Sequence, residues 1–236
     1  MSREAELRDG LERVHARIAA AAGAAGRDAD DITLVVVTKF FPAEEVRLLH
    51  GLGVRDVGEN RHQEAQAKAA ELRDLEPPLR WHYIGGLQSN KAAAVASYAD
   101  VVHSVDRSKL VTGLSRGAVE RGRPLAVLVQ VDLDPDGAPG SGRAGAAPDD
   151  VPVLADAVVA ADGLDLRGVM AVAPLGVDPA PAFERLSEVA SGVREEHPSA
   201  TWVSAGMSGD LEAAIASGAT HVRVGSAVLG ARPSRG

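Results

Sequence analysis

Eight short runs of apolar and β-branched residues recur along the chain, each followed by a stretch with helical spacing or by the last residues. That alternation narrows the fold more than any other feature. The first run, Ile32-Thr33-Leu34-Val35-Val36-Val37-Thr38, is apolar or β-branched at every position, as in strands buried on both faces. Further strands are expected at 55–58, 81–84, 101–104, 125–131, 166–172, 201–204 and 221–224. Helical stretches are expected between them at 43–52, 61–72, 90–98, 107–121, 149–161, 182–196 and 211–217. Leu7, Leu11, Val14 and Ile18 recur at three- and four-residue steps, which predicts an extra amphipathic helix over 1–22. Eight parallel strands close well into a (β/α)8 TIM barrel, and 236 residues is near the roughly 250 usual for one. An open doubly wound sheet would call for a glycine-rich first turn, where this chain has Lys39-Phe40-Phe41-Pro42. The expectation is therefore a single α/β domain over 1–236, with helix 1–22 packed on the barrel. A flexible loop is expected over 134–148, rich in Pro, Gly, Ser and Ala, placed either as a lid after strand five or as a surface insertion.

Composition removes several classes of function. The formal net charge of −8 gives no bulk basic surface, so neither nucleic acid nor membrane is an expected partner. No apolar run approaches the roughly 18 residues of a membrane span, and the first residues lack an apolar signal core, which predicts a cytoplasmic protein. With no Cys there is no disulfide, thiolate nucleophile or Cys-type metal site. The seven His are scattered singly, so no metal is expected. The run Gly137 to Arg143 has the glycine spacing of a P-loop, but Arg143-Ala144 stands where Lys-Ser/Thr would hold phosphate and magnesium.

The residues that bear on chemistry lie at strand ends, where barrels of this class build their sites. Lys39 closes the first strand, so its amine emerges at the mouth. Partial burial disfavours an ammonium ion, and such a lysine serves as a nucleophilic amine for Schiff-base formation. The other reading is a strand-end lysine whose head reaches water. After strand seven comes Ser204-Ala205-Gly206-Met207-Ser208-Gly209-Asp210, which puts Ser208 at a helix start, and after strand eight comes Gly225-Ser226. Both loops are suited to cradling a phosphate, and each also fits an ordinary capping serine in a tight turn. Together with Lys39 they favour a phosphorylated ligand that carries a carbonyl. Arg223 lies within strand eight and needs a partner inside a barrel: either a ligand ring nitrogen, to which it can donate without protonating it, or a nearby carboxylate. Asn60 follows strand two at the mouth, beside Glu59 and Arg61, which are suited to pairing with each other or with neighbours. Met170, in strand six, fits core filling better than ligand contact.

Taken together, these motifs resemble the pyridoxal phosphate homeostasis proteins, relatives of the alanine racemase barrel. The resemblance runs through Val37-Thr38-Lys39, Gly58-Glu59-Asn60, Trp81-His82-Tyr83-Ile84-Gly85, Leu87-Gln88-Ser89-Asn90-Lys91, Gly168-Val169-Met170-Ala171, Gly206-Met207-Ser208 and Val222-Arg223-Val224-Gly225. It implies a protein that carries pyridoxal 5′-phosphate as a Schiff base on Lys39. It further implies that Ser208, Gly225 and Ser226 hold the phosphate, that Arg223 faces the ring nitrogen, and that Asn60 and Met170 line the pocket. The chain departs from the family pattern at Gly86, where proline is common, at Gly209, where aspartate is common, and at Arg143-Ala144-Gly145, where Lys-Ser-Gly or Lys-His-Gly is frequent.

The function implied is vitamin B6 homeostasis by a bacterial, non-catalytic monomer without robust turnover, with pyridoxal-dependent apo-enzymes as recipients. The alternative is an amino acid racemase of the alanine racemase type. Two-base racemization needs an acid/base on each face of the ring, and the resembled racemases take a tyrosine from an added β-domain. This chain has no Tyr beyond Tyr98, so only weak racemase activity through Lys39 remains compatible. A cofactor-free aldolase barrel, with Lys39 attacking a sugar phosphate, is a third reading, separable by the absence of visible absorption.

Overall fold

The computed structural model describes residues 2–134 and 144–231. The chain enters through a long helix, α1 (Arg3–Ala24), capped by Ser2, whose hydroxyl accepts from the Ala5 amide. Then β1 (Thr33–Val37), α2 (Ala43–Gly51), β2 (Asp56–Glu59), α3 (His62–Glu71) and β3 (Arg80–Tyr83) follow. After α4 (Ala92–Ala96) come β4 (Val101–Val105), α5 (Ser108–Arg121), β5 (Leu125–Gln130), α6 (Val151–Val159) and β6 (Leu164–Met170). The last units are α7 (Ala180–Glu196), β7 (Trp202–Ser204), α8 (Leu211–Ala216), β8 (His221–Val224) and α9 (Ser226–Leu229).

All eight strands are parallel and each pairs with its sequence neighbour. The ring closes where Thr33, Leu34, Val35 and Val36 of β1 align with His221, Val222, Arg223 and Val224 of β8. This is the expected (β/α)8 barrel. Strand limits differ from the sequence expectation by one or two residues, as fraying ends do. Two differences are larger. A tight 3-10 turn over Ser89–Lys91 takes the place of the first turn of the expected 90–98 helix, leaving α4 five residues long. The short helix α9 after β8 was not expected, since four residues carry no readable period.

The closing unit of the ring explains why an extra helix precedes the barrel. A four-residue α9 covers little, and α1 packs against α8, α9 and α2, filling the gap between the last and first units. Its buried face, Leu7, Leu11, Val14, Ile18 and Ala22, follows the helical repeat and joins Val222, Val224, Val228 and Leu229 in one apolar cluster. Gly10 lies so near α9 that an added Cβ would sit 2.4 Å from the Val228 carbonyl oxygen. Arg3 bridges to Glu45 at 2.5 Å and to the Leu229 carbonyl at 2.8 Å, tying both ends of the ring to α1.

Inside the barrel the strands divide the space. One part is apolar, with Val101, Leu128 and Met170 packed together. The other is polar and buried: His82, His103, Ser204, His221 and Arg223 are each less than 5% exposed. Of the expected 134–148 loop, residues 135–143 lie outside the described residues. Its returning end is ordered on the barrel, where Ala146 bridges Val131 in parallel and Gln130 donates to the Ala144 carbonyl at 2.5 Å.

Candidate functional site

Beyond the C-terminal strand ends, β1, β7 and β8 open onto a cleft of about 280 Å³. Lys39, Ser208, Arg223, Gly225 and Ser226 line it together with apolar surface from Val37, Phe40, Ile84 and Met207. Five of the seven residues singled out in the sequence thus meet in one place. Asn60 and Met170 do not line it. Met170 is buried among Val101 and Leu128 in the barrel interior. Asn60 follows β2 with its Oδ1 buried and lacking a hydrogen-bond partner.

The backbone around Lys39 is fixed from below by a buried ionic network. Lys68 of α3, 5% exposed, uses all three ammonium hydrogens. It donates to the Thr38 carbonyl at 2.9 Å, to Glu59 Oε1 at 2.7 Å and to Glu64 Oε1 at 2.9 Å. Thr38 Oγ1 donates to Glu59 Oε1 at 2.7 Å, and the Phe40 amide donates to Glu64 Oε1 at 2.7 Å. The residues on both sides of Lys39 are therefore anchored to the same cluster. Phe40 is held at φ +73, in the left-handed region that a bulky side chain rarely adopts. Such strain persists where surrounding contacts over-determine it, as they do here. Burial pushes the Glu59 carboxyl up against the opposing pull of Lys68 and Thr38. Arg61 does not pair with Glu59; its guanidinium lies 5.0 Å from the Phe40 ring centroid.

Sequence reasoning missed Lys68 and Glu64. Spaced four apart on a helix, they look like a solvated surface pair, the commonest meaning of that spacing. The local clue is that α3 begins only three residues after Glu59.

On the opposite wall, Gly206 turns the chain out of β7 at φ +89, and a Cβ there would stand 2.7 Å from that of Ala214. Asp210 then caps the turn by accepting from the Met207 amide at 2.5 Å. Ser208 sits inside this turn and not at the helix start, because α8 begins only at Leu211. Its hydroxyl is instead held from the β8 side, accepting from Ser226 Oγ at 3.2 Å and from the Ala227 amide at 3.4 Å. The two loops converge on one polar corner, and Arg17 of α1 braces it by donating to the Ser208 carbonyl at 3.0 Å.

Arg223 is 4% exposed. Nη1 donates to Ser204 Oγ at 2.6 Å and Nη2 to the Ala171 carbonyl at 2.8 Å. Among the described residues no carboxylate pairs with it directly, so the salt bridge left open by the sequence is not the arrangement found. Burial pushes the guanidinium down to about 10, which leaves it cationic at neutral pH. Among the described residues no group of three His, Asp or Glu side chains is placed to hold a metal ion. Among the described residues no helix is long and apolar enough to cross a membrane.

An amine, two neighbouring hydroxyls and a guanidinium around an apolar-walled cleft form a donor set for a small ring aldehyde bearing a phosphate. Comparisons with known proteins agree with that chemistry. The model of the alanine racemase N-terminal domain family matches residues 11–233. The pyridoxal phosphate homeostasis protein of Mycobacterium bovis is 46% identical over 247 residues, spanning 99% of this chain and 95% of that one. The protein of the same name from Pseudomonas aeruginosa is 43% identical over 232 residues, 96% of each. Among solved structures, PipY of Synechococcus elongatus PCC7942 with PLP bound superposes with a TM-score of 0.77 at 38% identity, covering 85% of this chain and 93% of that one. Sequence, barrel topology and the cleft at the strand ends agree: the chain belongs to the pyridoxal phosphate homeostasis protein family, built on the alanine racemase N-terminal barrel.

Proposed function

We propose that the chain binds pyridoxal 5′-phosphate through a Schiff base on Lys39 and serves vitamin B6 homeostasis as a cofactor handler and not as an efficient enzyme. The observation that carries this reading is the convergence of Lys39, Ser208, Ser226 and Arg223 on one cleft. Bound pyridoxal phosphate supplies an aldehyde that condenses with a primary amine, releasing water, and a ring that withdraws electrons. The chain's own residues do the rest. Lys39 Nζ provides the amine, held at the mouth by the anchored Thr38 and Phe40 backbone. Ser208 and Ser226 offer hydroxyl donors to the phosphate, and Gly225, where an added Cβ would stand 3.1 Å from the Val37 carbonyl oxygen, lets the β8 loop lie close against the end of β1. Arg223 presents N–H groups to the ring nitrogen and, as an unchanging cation, donates without giving up its proton.

The composition of the lining favours handling over racemization. Moving a proton from one face of a ring to the other needs a base on each side. Among the described residues lining the cleft, the ionisable side chains are Lys39 and Arg223, and a guanidinium is a poor base. Tyr83 is buried with its hydroxyl 3.5 Å from the Gly86 carbonyl, and Tyr98 lies against His62. Neither reaches the cleft lining. The reading extends to a cytoplasmic monomer acting as one cofactor-binding domain over 1–236, with pyridoxal-dependent apo-enzymes as recipients.

The test is the visible absorption of protein mixed with pyridoxal phosphate. After unbound cofactor is removed by gel filtration, wild type is expected to stay yellow and Lys39→Ala to lose the colour, while chiral analysis of alanine after prolonged incubation shows no conversion at ordinary enzyme rates. Efficient racemization by wild type, or equal colour in Lys39→Ala, overturns the reading. Transfer to an apo-enzyme is read as recovery of that enzyme's activity, and light scattering gives the mass in solution.

A further inference from the structure

The barrel interior holds a set of polar side chains that, Arg223 apart, the cleft does not use. Five of them, each from a different strand, lie in a continuous line. Arg223 (β8) contacts Ser204 (β7) at 2.6 Å, and Ser204 contacts Nδ1 of His103 (β4) at 3.0 Å. Nε2 of His103 is 2.8 Å from Nδ1 of His82 (β3), and Nε2 of His82 is 2.8 Å from Oδ1 of Asp56 (β2). Asp56, at the start of β2, belongs to the barrel end opposite the cleft, where its side chain is 14% exposed and also meets Arg80 at 3.0 Å.

The two ends dictate how the protons in the middle are arranged. A guanidinium only donates, so Ser204 Oγ accepts from Arg223 and turns its own hydrogen to His103 Nδ1. His103 then carries its proton on Nε2 and donates to His82 Nδ1. That leaves the His82 proton on Nε2, where the Asp56 carboxylate, an acceptor only, receives it. Every donor points the same way and both imidazoles stay neutral. Reversing His103 would put protons on both nitrogens of His82, creating a second buried cation beside His221 and Arg80 and in line with Arg223. Burial at 0% and 1% exposure opposes such a charge on these two rings.

We propose that Asp56, His82, His103 and Ser204 are positioning residues for Arg223, a one-way hydrogen-bond chain through the barrel that brings the Asp56 countercharge to the buried guanidinium and fixes its aim into the cleft. It accounts for a buried arginine with no adjacent carboxylate, because aligned hydrogen bonds polarise one another in a low-dielectric interior. The other charged or titratable groups around the line are Arg80 and His221 near Asp56 and His82, and Asp210 near Arg223. The chain itself is a property of the protein without ligand; what Arg223 is aimed at rests on the cofactor reading above.

Nitrogen-15 spectra of the histidine rings in the full chain, with no cofactor added, test the first part. Wild type is expected to show His82 and His103 both with the ring proton on Nε2. Asp56→Asn, which keeps an acceptor but removes the charge, is expected to shift His103, which Asp56 does not touch. Ser204→Ala is expected to shift His82 from the other end. A His103 proton on Nδ1, or shifts confined to the directly contacted ring, overturns the proposal; the wild-type assignment requires no variant to fold. The second part is read with pyridoxal phosphate bound. Removing a negative charge favours loss of a proton in the cleft, so Asp56→Asn is expected to lower the pH midpoint of the visible band by about half a unit, and Asp56→Glu to restore it. An unchanged midpoint with intact tautomers overturns the coupling to the cleft. Failure of wild type to bind the cofactor overturns the cofactor reading and leaves the tautomer result standing.

Discussion

The Lys39 side chain owes its position to residues that do not touch the cleft. Lys68 pairs with Glu59 and Glu64 while gripping the Thr38 carbonyl, so its removal leaves the buried Glu59 carboxylate without its cation. Lys68→Met is expected to destabilise the fold by about 3 kcal/mol, read from urea unfolding, and to weaken pyridoxal phosphate binding through the loosened Thr38-Lys39-Phe40 backbone. An exposed control, Arg116→Met on α5, is expected to stay within about 0.5 kcal/mol of wild type, since its ion pair with Glu120 is solvated. At this scale the sequence reveals residues whose type is unusual for their place, such as a lysine ending an apolar strand or an arginine inside one. It hides residues whose local spacing suits a solvated surface, as Lys68 and Glu64 do. It also hides the line from Asp56 to Arg223, whose members come from five strands and share no local pattern until the barrel closes.

Among the elements, α1 illustrates how packing overrides propensity. Alanine favours a helix over glycine by about 1 kcal/mol, yet Gly10 faces the α9 backbone with no room for a Cβ, whereas Gly23 on the same helix has nothing within 4 Å of one. Gly23→Ala is therefore expected to stabilise the protein by about 0.5 kcal/mol, and Gly10→Ala to destabilise it by about 2 kcal/mol, measured as opposite shifts of the denaturation midpoint. The apolar repeat of α1 was legible in Leu7, Leu11, Val14 and Ile18, because a one-sided helix advertises its buried face. Its role was not, because only the structure shows that α9 is too short to cover the seam. Likewise β6 starts at Leu164, two residues before the expected 166: Leu164 and Asp165 are half-buried and pair with Leu125 and Ala126, a register that composition does not encode.

For the molecule as a whole, a barrel whose interior holds neutral histidines is sensitive to acid. Burial, with the Arg223 cation nearby, lowers the His103 ring well below its usual 6.5 and takes His221 to about 3. The unfolded chain then binds more protons than the folded one below pH 6.5, so this part of the stability is present above that pH and lost as pH falls towards about 3. Asp56, held low by His82 and Arg80 despite its burial, acts in the same direction at still lower pH. Glu59, pushed up by burial, opposes them in part. His103 and His221 are each expected to contribute a loss of about 1.4 kcal/mol per pH unit below 6.5, seen as a falling urea midpoint, and His221→Gln should flatten that fall. The closed parallel ring that creates this interior was legible in the β–α alternation, since each apolar run had to be covered on both faces.

Borohydride reduction of the protein saturated with pyridoxal phosphate, followed by peptide mass spectrometry, tests the central claim most directly. The account predicts one pyridoxyl adduct, located on Lys39 and lost in Lys39→Ala. An adduct confined to another lysine, or none in a sample that is otherwise folded and saturated with the cofactor, would contradict it.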